Sequence, residues 1–374
     1  MRRLASLAAM LALSACALPN HSNWASEWEK EWGSTSTPGQ AIPITALPGW
    51  SQTNTTKALA SFVISCKALM LMPPDTALGG AGIPQQRGGQ AGLWAPACTA
   101  AKAVPPNDEA AAQQFFQSWF SASVVSDNAT ISGYFEPEVD GSKNERPGYN
   151  VPLYAKPALA SLANLPRSAI DSGALYRKAP VTAYVRSQAD AFMLQIQGSG
   201  RLRLPNGQIL SVGFNGQNNQ PYTPIGGLLV KMGALQPNNV SYQSISDWLT
   251  ANPTQASAIM EQNQNYVYLS PLGYLPADEG APGTLGVPLT PQHSVAIDRT
   301  ALPLGAPLFI STSNPLTGAP INLLAIAQDT GAGLQGANQA DLFFGSGASA
   351  EAIAGHMHQT GTIYILLPLA KPQP

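Results

Sequence analysis

Three aspartates in the C-terminal part of the chain have the residue type and setting that proton-transfer chemistry needs. Asp298 follows Ser-Val-Ala-Ile, Asp329 follows Leu-Leu-Ala-Ile-Ala-Gln, and Asp341 precedes Leu-Phe-Phe-Gly. The chain has only 21 acidic residues in 374, so three beside apolar segments form a pattern. Burial and a nearby like charge both raise the pKa of a carboxyl group toward that of a general acid. We therefore predict a site that contains a proton-donating carboxyl group.

Two alternatives compete for these aspartates. An Asp at a strand end often accepts hydrogen bonds from its own turn, which is a purely structural role. Asp329-Thr330-Gly331 also matches the Asp-Thr-Gly of aspartic proteases, whose two carboxyl groups share a proton, with Asp171-Ser172-Gly173 as its partner. However, Asp171 lies in a segment that predicts a short helix. Ala332 and Ala174 also stand where those proteases usually have Ser or Thr, so the protease hypothesis rests on a short motif alone.

Other kinds of site find little support in the sequence. His356 and His358 lie two residues apart without a third ligand nearby, so we predict no metal site. The chain has no phosphate-binding or dinucleotide-binding glycine motif, so we expect no cofactor. A charged fraction of 11% with a net charge of −2 excludes a protein that binds nucleic acid through phosphate contacts.

The elements that must position the aspartates are predicted to be short strands. The chain holds 34 Gly and 33 Pro, which favour many turns, and strands are expected at 294–297, 323–327 and 341–344 around the aspartates. The sequence from Arg201 to Val212 predicts a hairpin with Asn206-Gly207 at its turn.

Helices and loops are predicted toward the N-terminal side. Apolar residues at helical spacing predict a helix over 57–70, and a second helix is expected to begin with Asn107 as its N-cap. The Gly- and Pro-rich stretch 73–96 predicts a loop.

The first residues read as an export signal. Arg2 and Arg3 precede a short apolar run, and Leu13-Ser-Ala-Cys16 resembles a lipobox whose cysteine would carry the lipid. The alternative is an ordinary signal peptide with an incidental cysteine. In an exported protein the remaining pair, Cys66 and Cys98, favours a disulfide over two buried free thiols.

Several segments together resemble the membrane-bound lytic transglycosylase A family of bacterial lipoproteins, over roughly residues 45–370. The segments that carry the resemblance are Gly133-Tyr-Phe-Glu-Pro137, Asp190 to Gly200, Gly213 to Gly226, Gly286-Val-Pro-Leu-Thr290, Ala296-Ile-Asp298, Ala327-Gln-Asp-Thr-Gly331 and Ala340-Asp-Leu-Phe-Phe-Gly345. The C-terminal part also resembles a 3D domain, named for three aspartates, which would here be Asp298, Asp329 and Asp341.

The resemblance implies a mainly β fold with a few short helices. A double-psi β-barrel is built from both ends of the chain, and a second, β-barrel-like domain is inserted between them across a deep groove. The implied parts are a lipoprotein signal peptide (1–15), a tether (16–45), the first barrel part with N-terminal helices (46–140), the inserted domain (141–265) and the second barrel part or 3D domain (266–374).

The family's activity implies a lytic transglycosylase that cleaves the β-1,4 bond between N-acetylmuramic acid and N-acetylglucosamine in peptidoglycan. The product would carry a 1,6-anhydro ring. The motif Ala-Asp-x-Phe-Phe-Gly implies Asp341 as the single acid and then base, with Asp329 and Asp298 as orienting or pKa-raising neighbours or as structural anchors. The alternatives are a glycoside hydrolase on the same barrel and a lipoprotein that binds peptidoglycan without cleaving it.

The family motifs also imply a set of substrate contacts. These are Tyr134, Glu136, Gln197, Ser199, Asn218, Tyr222, Gln328 and Thr330. The implied partners are peptidoglycan glycan strands and, through lipid on Cys16, the membrane at the periplasmic face of the outer membrane; we expect a monomer. The chain departs from the family at Gln335, where a Lys is usual, and at Gln339, where an Arg is frequent.

Overall fold

The computed structural model describes residues 41–276 and 278–369, without the side chain of Asn238. Cys16, the predicted signal peptide and most of the predicted tether lie outside this part of the chain. The strands are β1 Ala41–Ile42, β2 Phe120–Glu136, β3 Glu138–Ser142, β4 Val151–Tyr154, β5 Val181–Val185, β6 Ser199–Arg203, β7 Ile209–Gln217, β8 Val267–Gly273, β9 Ser294–Ile297, β10 Pro307–Ser313, β11 Pro320–Thr330, β12 Gln339–Ser346 and β13 His358–Pro368.

Short helices connect and cover these strands. The α-helices are α1 Thr55–Leu69, α2 Gly82–Gly88, α3 Ala95–Ala101, α4 Glu109–Trp119, α5 Ala160–Ala163, α6 Arg167–Asp171, α7 Gln188–Gln197, α8 Ile225–Lys231, α9 Tyr242–Ala251, α10 Pro253–Met260 and α11 Ala348–Ala354. Four 3₁₀ helices lie among the described residues, at Ile44–Ala46, Trp50–Gln52, Ala91–Trp94 and Pro237–Asn239.

One group of strands closes on itself as a barrel. The pairing order is β2-β12-β9-β11-β10-β13, and β13 pairs again with β2, while β1 adds to β2 from outside the ring. Two of the pairings are parallel, β9 with β11 and β2 with β12, and the others in the ring are antiparallel. Because full closure leaves no free edge in the ring, every barrel strand is held on both sides.

The remaining strands form a second sheet in the order β4-β5-β3-β6-β7-β8, all of which lie in sequence between β2 and β9. The predicted hairpin is present as β6 and β7, with Arg203 opposite Ile209 and Gly207 in the left-handed region at its turn. The predicted mainly β fold, with a second sheet inserted into a barrel and a few short helices, is confirmed.

Helix α1 anchors the N-terminal segments to the barrel. Its inner face is apolar, and Phe62 lies within 6.4 Å, between ring centroids, of an aromatic cluster. The members of that cluster are Trp94, Phe115, Phe116 and Phe120. A disulfide joins Cys66 on α1 to Cys98 on α3.

One predicted helix start and one predicted loop are wrong. Asn107 has φ 61°, so the N-cap falls one residue later, on Asp108, whose side chain accepts a hydrogen bond from the backbone N–H of Ala111. The stretch 73–96 is more than a loop, because it contains α2 and a 3₁₀ helix that pack on the barrel core. Tertiary packing there overrides the low helix propensity of Gly and Pro.

In the described residues, no helix combines the length and the apolar character that crossing a membrane requires.

Replacing Cys98 with Ser should lower the free energy of unfolding by roughly 3–4 kcal/mol. The disulfide closes a loop of 32 residues, and its loss gives the unfolded chain more conformational freedom. Urea unfolding checks this value, and wild-type protein kept in reductant should unfold near the midpoint of the variant. A change below about 0.5 kcal/mol would show that other contacts hold α1 and α3 together.

Candidate active site

The register of the barrel strands brings two of the three aspartates together. Ala296 on β9 pairs with Asp329 on β11 at one side and with Asp341 on β12 at the other. Residues in register point to the same face of a sheet, and neighbouring strands lie about 4.8 Å apart. The two carboxyl groups therefore flank one small, buried alanine side chain.

Asp341 sits in the more apolar of the two settings. Its carboxyl group accepts a hydrogen bond from Ser132 on β2, while its buried Oδ1 has no partner among the described residues. Burial raises the pKa of Asp341 to about 7, and the charge of Asp329 adds to this effect against the hydrogen bond from Ser132. At neutral pH this group is poised both to donate and to accept a proton.

Asp329 is held by donors from two directions. The hydroxyl of Tyr134 donates to Oδ2 at 3.1 Å, and the backbone N–H and the hydroxyl of Thr284 both donate to Oδ1 at 2.9 Å. Burial raises the pKa of Asp329, while these hydrogen bonds and one from the backbone of Thr330 oppose the rise. The carboxyl group is therefore fixed in orientation while its ionised form is supported.

Asp298 does not join this pair. Its Oδ1 accepts hydrogen bonds from the backbone N–H and the hydroxyl of Thr300, at 2.8 and 2.7 Å, and its Oδ2 accepts from the backbone N–H of Gly336 at 2.7 Å. Although partial burial opposes ionisation, these bonds lower the pKa of Asp298. The prediction of a raised pKa is therefore wrong for Asp298, which anchors the loop between Asp329 and Asp341.

Tyr222 reaches the pair from the segment that carries the second sheet (residues 138–273), called here the inserted segment. Its ring lies against Gly333 in the loop after β11, where a Cβ atom would come within 3.2 Å of Tyr222 Cε1. Burial raises the pKa of Tyr222, and the charge of Asp341 raises it further. Tyr222, from the inserted segment, therefore faces the carboxyl group of Asp341 on the barrel strand β12.

Three of the predicted substrate contacts are buried and use their polar atoms inside the protein. Glu136 is 1% exposed and accepts from Arg201 Nε at 2.9 Å and from the backbone N–H of Ala281 at 2.6 Å. Asn218 donates to backbone carbonyls of the inserted segment, and Gln328 donates to Ser61 and Ser65 on α1. These side chains hold the fold together, because none presents an open polar group to a ligand.

The other predicted substrate contacts lie closer to the two aspartates or to the residues that bond them. Tyr134 bonds Asp329 directly, and the hydroxyl of Thr330 lies 2.7 Å from that of Thr284. Gln197 Oε1 accepts from the backbone N–H of Phe135 at 3.1 Å, next to Tyr134. Ser199 is buried at the start of β6.

Thr284 and Ser132 are site residues that the sequence reasoning missed. Thr284 lies in the connection before β9, and its only sequence signal is the neighbouring Gly283. A Cβ on Gly283 would come within 2.6 Å of the Gln328 carbonyl oxygen, so only glycine lets this connection lie directly against β11. Ser132 follows from register alone, because it pairs with Asp341 across β2 and β12.

The protease hypothesis is wrong. Asp171 forms an ion pair at 3.8 Å with Arg167 on α6, whose guanidinium also donates to the backbone carbonyl oxygens of Asn263 and Asn265. The aspartate in register across β9 from Asp329 is Asp341 instead. Within 41–276 and 278–369, no cluster of three His, Cys, Asp or Glu side chains is arranged to hold a metal ion.

Comparisons with known proteins find similar sequences for both the second sheet and the C-terminal barrel strands. The family profile described as "MltA specific insert domain" matches residues 130–270, and the one described as "3D domain" matches residues 293–367. The membrane-bound lytic murein transglycosylase A of Vibrio cholerae is 30% identical over 247 residues, which are 64% of this chain and 65% of that protein. The matched region thus spans about two thirds of that relative.

Solved structures extend the similarity over nearly the whole described chain. The crystal structure of a membrane-bound lytic murein transglycosylase from Agrobacterium tumefaciens has a TM-score of 0.78 and 26% identity, covering 88% of this chain and 97% of that one. The lytic transglycosylase LtgG of Burkholderia pseudomallei has a TM-score of 0.58 and 33% identity, covering 88% and 95%.

Replacing Asp341 with Asn should stabilise the fold at alkaline pH and not at acidic pH. Since the pKa of Asp341 is raised in the folded state, its cost to stability is absent below about pH 4 and grows as pH rises toward 7. An amide avoids that cost, and a gain of about 1 kcal/mol would raise Tm by roughly 2 °C.

Thermal unfolding between pH 4 and pH 9 tests this expectation. Asp127→Asn, an exposed change on β2, is the matched control and should show no such pH-dependent gain. Equal Tm values for wild type and Asp341→Asn at pH 8 would contradict it.

Proposed function

We propose that this chain, which belongs to the membrane-bound lytic murein transglycosylase A family, cleaves the β-1,4 bond between N-acetylmuramic acid and N-acetylglucosamine in peptidoglycan. The observation that carries the proposal is a carboxyl group with a pKa of about 7 on β12 and an oriented second carboxyl group on β11, in register across β9. The names of the relatives support the same activity.

In the first step, protonated Asp341 donates its proton to the glycosidic oxygen. The bond from C1 of the muramic acid residue to that oxygen breaks, and the N-acetylglucosamine side leaves with the proton as a hydroxyl group. Burial makes this donation possible at neutral pH, because it keeps the carboxyl group partly protonated there.

In the second step, the Asp341 carboxylate takes the proton of the C6 hydroxyl group of the same muramic acid residue. The freed oxygen forms a bond to C1, which closes a 1,6-anhydro ring and restores the protonated acid. The nucleophile belongs to the substrate, so its effective concentration far exceeds that of a bimolecular partner. No water is consumed.

Asp329 supports both steps without transferring a proton to the substrate. Its three hydrogen bonds from Tyr134 and Thr284 fix its position, and its charge disfavours a second charge on Asp341. A hydrolase would need a second carboxylate that is free to activate water. Both oxygens of Asp298 accept hydrogen bonds, from Thr300 and from Gly336, and this argues for the transglycosylase over the hydrolase.

Of the predicted substrate contacts, Gln197, Tyr222 and Thr330 remain partly exposed, whereas Tyr134 and Ser199 are buried. Tyr222 fits this role best, because an aromatic ring beside the acid offers a face for a sugar and a hydroxyl group for hydrogen bonding. The departures at Gln335 and Gln339 pair with each other, since Gln339 Oε1 accepts from the backbone N–H of Gln335 at 2.8 Å. This bond shapes the loop without adding charge near Asp341.

The site of action that we propose is the periplasmic face of the outer membrane, with lipid on Cys16 as the anchor. Cys16 lies outside the described residues, and the support is the lipobox-like sequence and the membrane-bound relatives. We further propose that the chain acts as a monomer on glycan strands.

Asp341→Asn should reduce the release of soluble muropeptides from purified sacculi by about a thousandfold, because general acid catalysis is lost. Binding of the variant to insoluble sacculi should stay within about twofold of wild type, and Asp127→Asn should retain full activity. Unchanged turnover in Asp341→Asn would refute the assignment of the acid. A wild-type protein that binds sacculi without cleaving them would favour the non-catalytic alternative.

Cys16→Ser should move the protein from the membrane fraction to the soluble periplasmic fraction, because the variant lacks the thiol that would carry the lipid. Cell fractionation followed by immunoblotting measures the shift. A variant that stays with the membrane would contradict anchoring through Cys16.

A further inference from the structure

Thr284 makes closer contact with the carboxylate pair than its place in a connecting loop suggests. It gives two hydrogen bonds to one oxygen of Asp329, one from the backbone and one from the side chain, both at 2.9 Å. Because its hydroxyl proton points to Asp329, the 2.7 Å contact with Thr330 is one in which the Thr330 hydroxyl donates. The three groups form an ordered chain that ends on the carboxylate.

The segment that carries Thr284 is clamped at both ends. At its base, Arg201 donates to the backbone carbonyl oxygens of Leu275, Pro276 and Glu279 while paired with Glu136. Glu136 in turn accepts from the backbone N–H of Ala281. At its tip, the backbone N–H of Leu285 donates to the carbonyl oxygen of Gln328 at 2.9 Å. Thr284 is therefore held at a fixed place against β11.

We infer that Thr284 is a positioning residue that decides which carboxyl group of the pair holds the proton, by stabilising Asp329 as the ionised partner and leaving the proton to Asp341. The inference rests on the proposed function, since it names how the acid of that reaction is kept protonated. Its geometric basis is the pair of donors on Asp329 Oδ1, against Oδ1 of Asp341, which has no partner within the part of the chain that the structure describes. If the single proton of the pair lay on Asp329, Asp341 would be ionised and could not act as an acid.

Among the described residues, few titratable groups surround the pair. Tyr134 on β2 faces both carboxyl groups, Tyr222 faces Asp341 from the inserted segment, and Glu136 near the end of β2 faces Tyr134. Burial and the nearby carboxylates raise the pKa values of both tyrosines, so they stay protonated and neutral through the working range. The pair therefore titrates as a coupled unit of two carboxyl groups, and its two apparent pKa values belong to the unit.

Thr284→Val tests the inference, with Thr284→Ser as the matched control. Valine keeps the shape and the backbone donor but removes the hydroxyl group, whereas serine keeps the hydroxyl group. The loss of a charge-assisted hydrogen bond should raise the pKa of Asp329 by about one unit. Carboxyl carbon NMR in the Asp341→Asn background measures this pKa without coupling and without any need for activity.

The functional readout is the pH profile of kcat/KM on sacculi. In Thr284→Val the acidic limb should move up by about one pH unit, because Asp329 becomes neutral at a higher pH and no longer supports the reaction with its charge. The alkaline limb and KM should change little. Thr284→Ser should keep the wild-type profile. The thermal midpoint of Thr284→Val at pH 7 shows whether the protein is folded during these measurements.

The possible results distinguish the role of Thr284 from the proposed transglycosylase activity. A raised titration midpoint together with a shifted acidic limb supports the inference. An unchanged midpoint overturns it, as does an even loss of kcat at all pH values without a shifted limb. A wild-type protein without cleaving activity would count against the proposed function instead, and the NMR titration would still report on the contact between Thr284 and Asp329.

Discussion

Two carboxyl groups on the strands that flank β9 share one apolar wall, and both cannot be ionised there without a large cost. The register of Asp329 and Asp341 across Ala296 brings the two carboxyl groups together. The closed barrel keeps them there, because every strand in the ring is held on both sides. The surrounding residues then decide how the pair shares its charge. Tyr134 and Thr284 donate to Asp329, whereas Oδ1 of Asp341 has no hydrogen-bond partner in the described parts of the chain.

The inserted segment matters to this pair although it supplies no carboxyl group to it. Arg201 on β6 and Glu136 at the end of β2 form a buried ion pair that also fixes the return connection to the barrel. Separating the two residues would leave an unpaired buried charge, which is costly. The ion pair therefore fixes the position of the second sheet relative to the barrel. That relation places Tyr222 over the loop beside Asp341.

The sequence allowed much of the fold and part of the site to be predicted. Strand-like segments around the aspartates and the Asn206-Gly207 turn depend on local patterns, and they appear where those patterns place them. Asp298 looked equivalent to the other aspartates, yet its carboxylate is used by Thr300 and Gly336. Which aspartates meet depends on the register between strands that are distant in sequence, and no local pattern encodes it.

We propose that Asp341 alone moves the protons while the substrate's own C6 hydroxyl group replaces water. Digestion of sacculi in water enriched in oxygen-18, followed by mass spectrometry of the muropeptides, tests it most directly. We expect muramic acid ends that have lost the elements of water and carry no heavy oxygen. Heavy oxygen at the newly formed reducing ends would show instead that water attacks C1, as in a hydrolase.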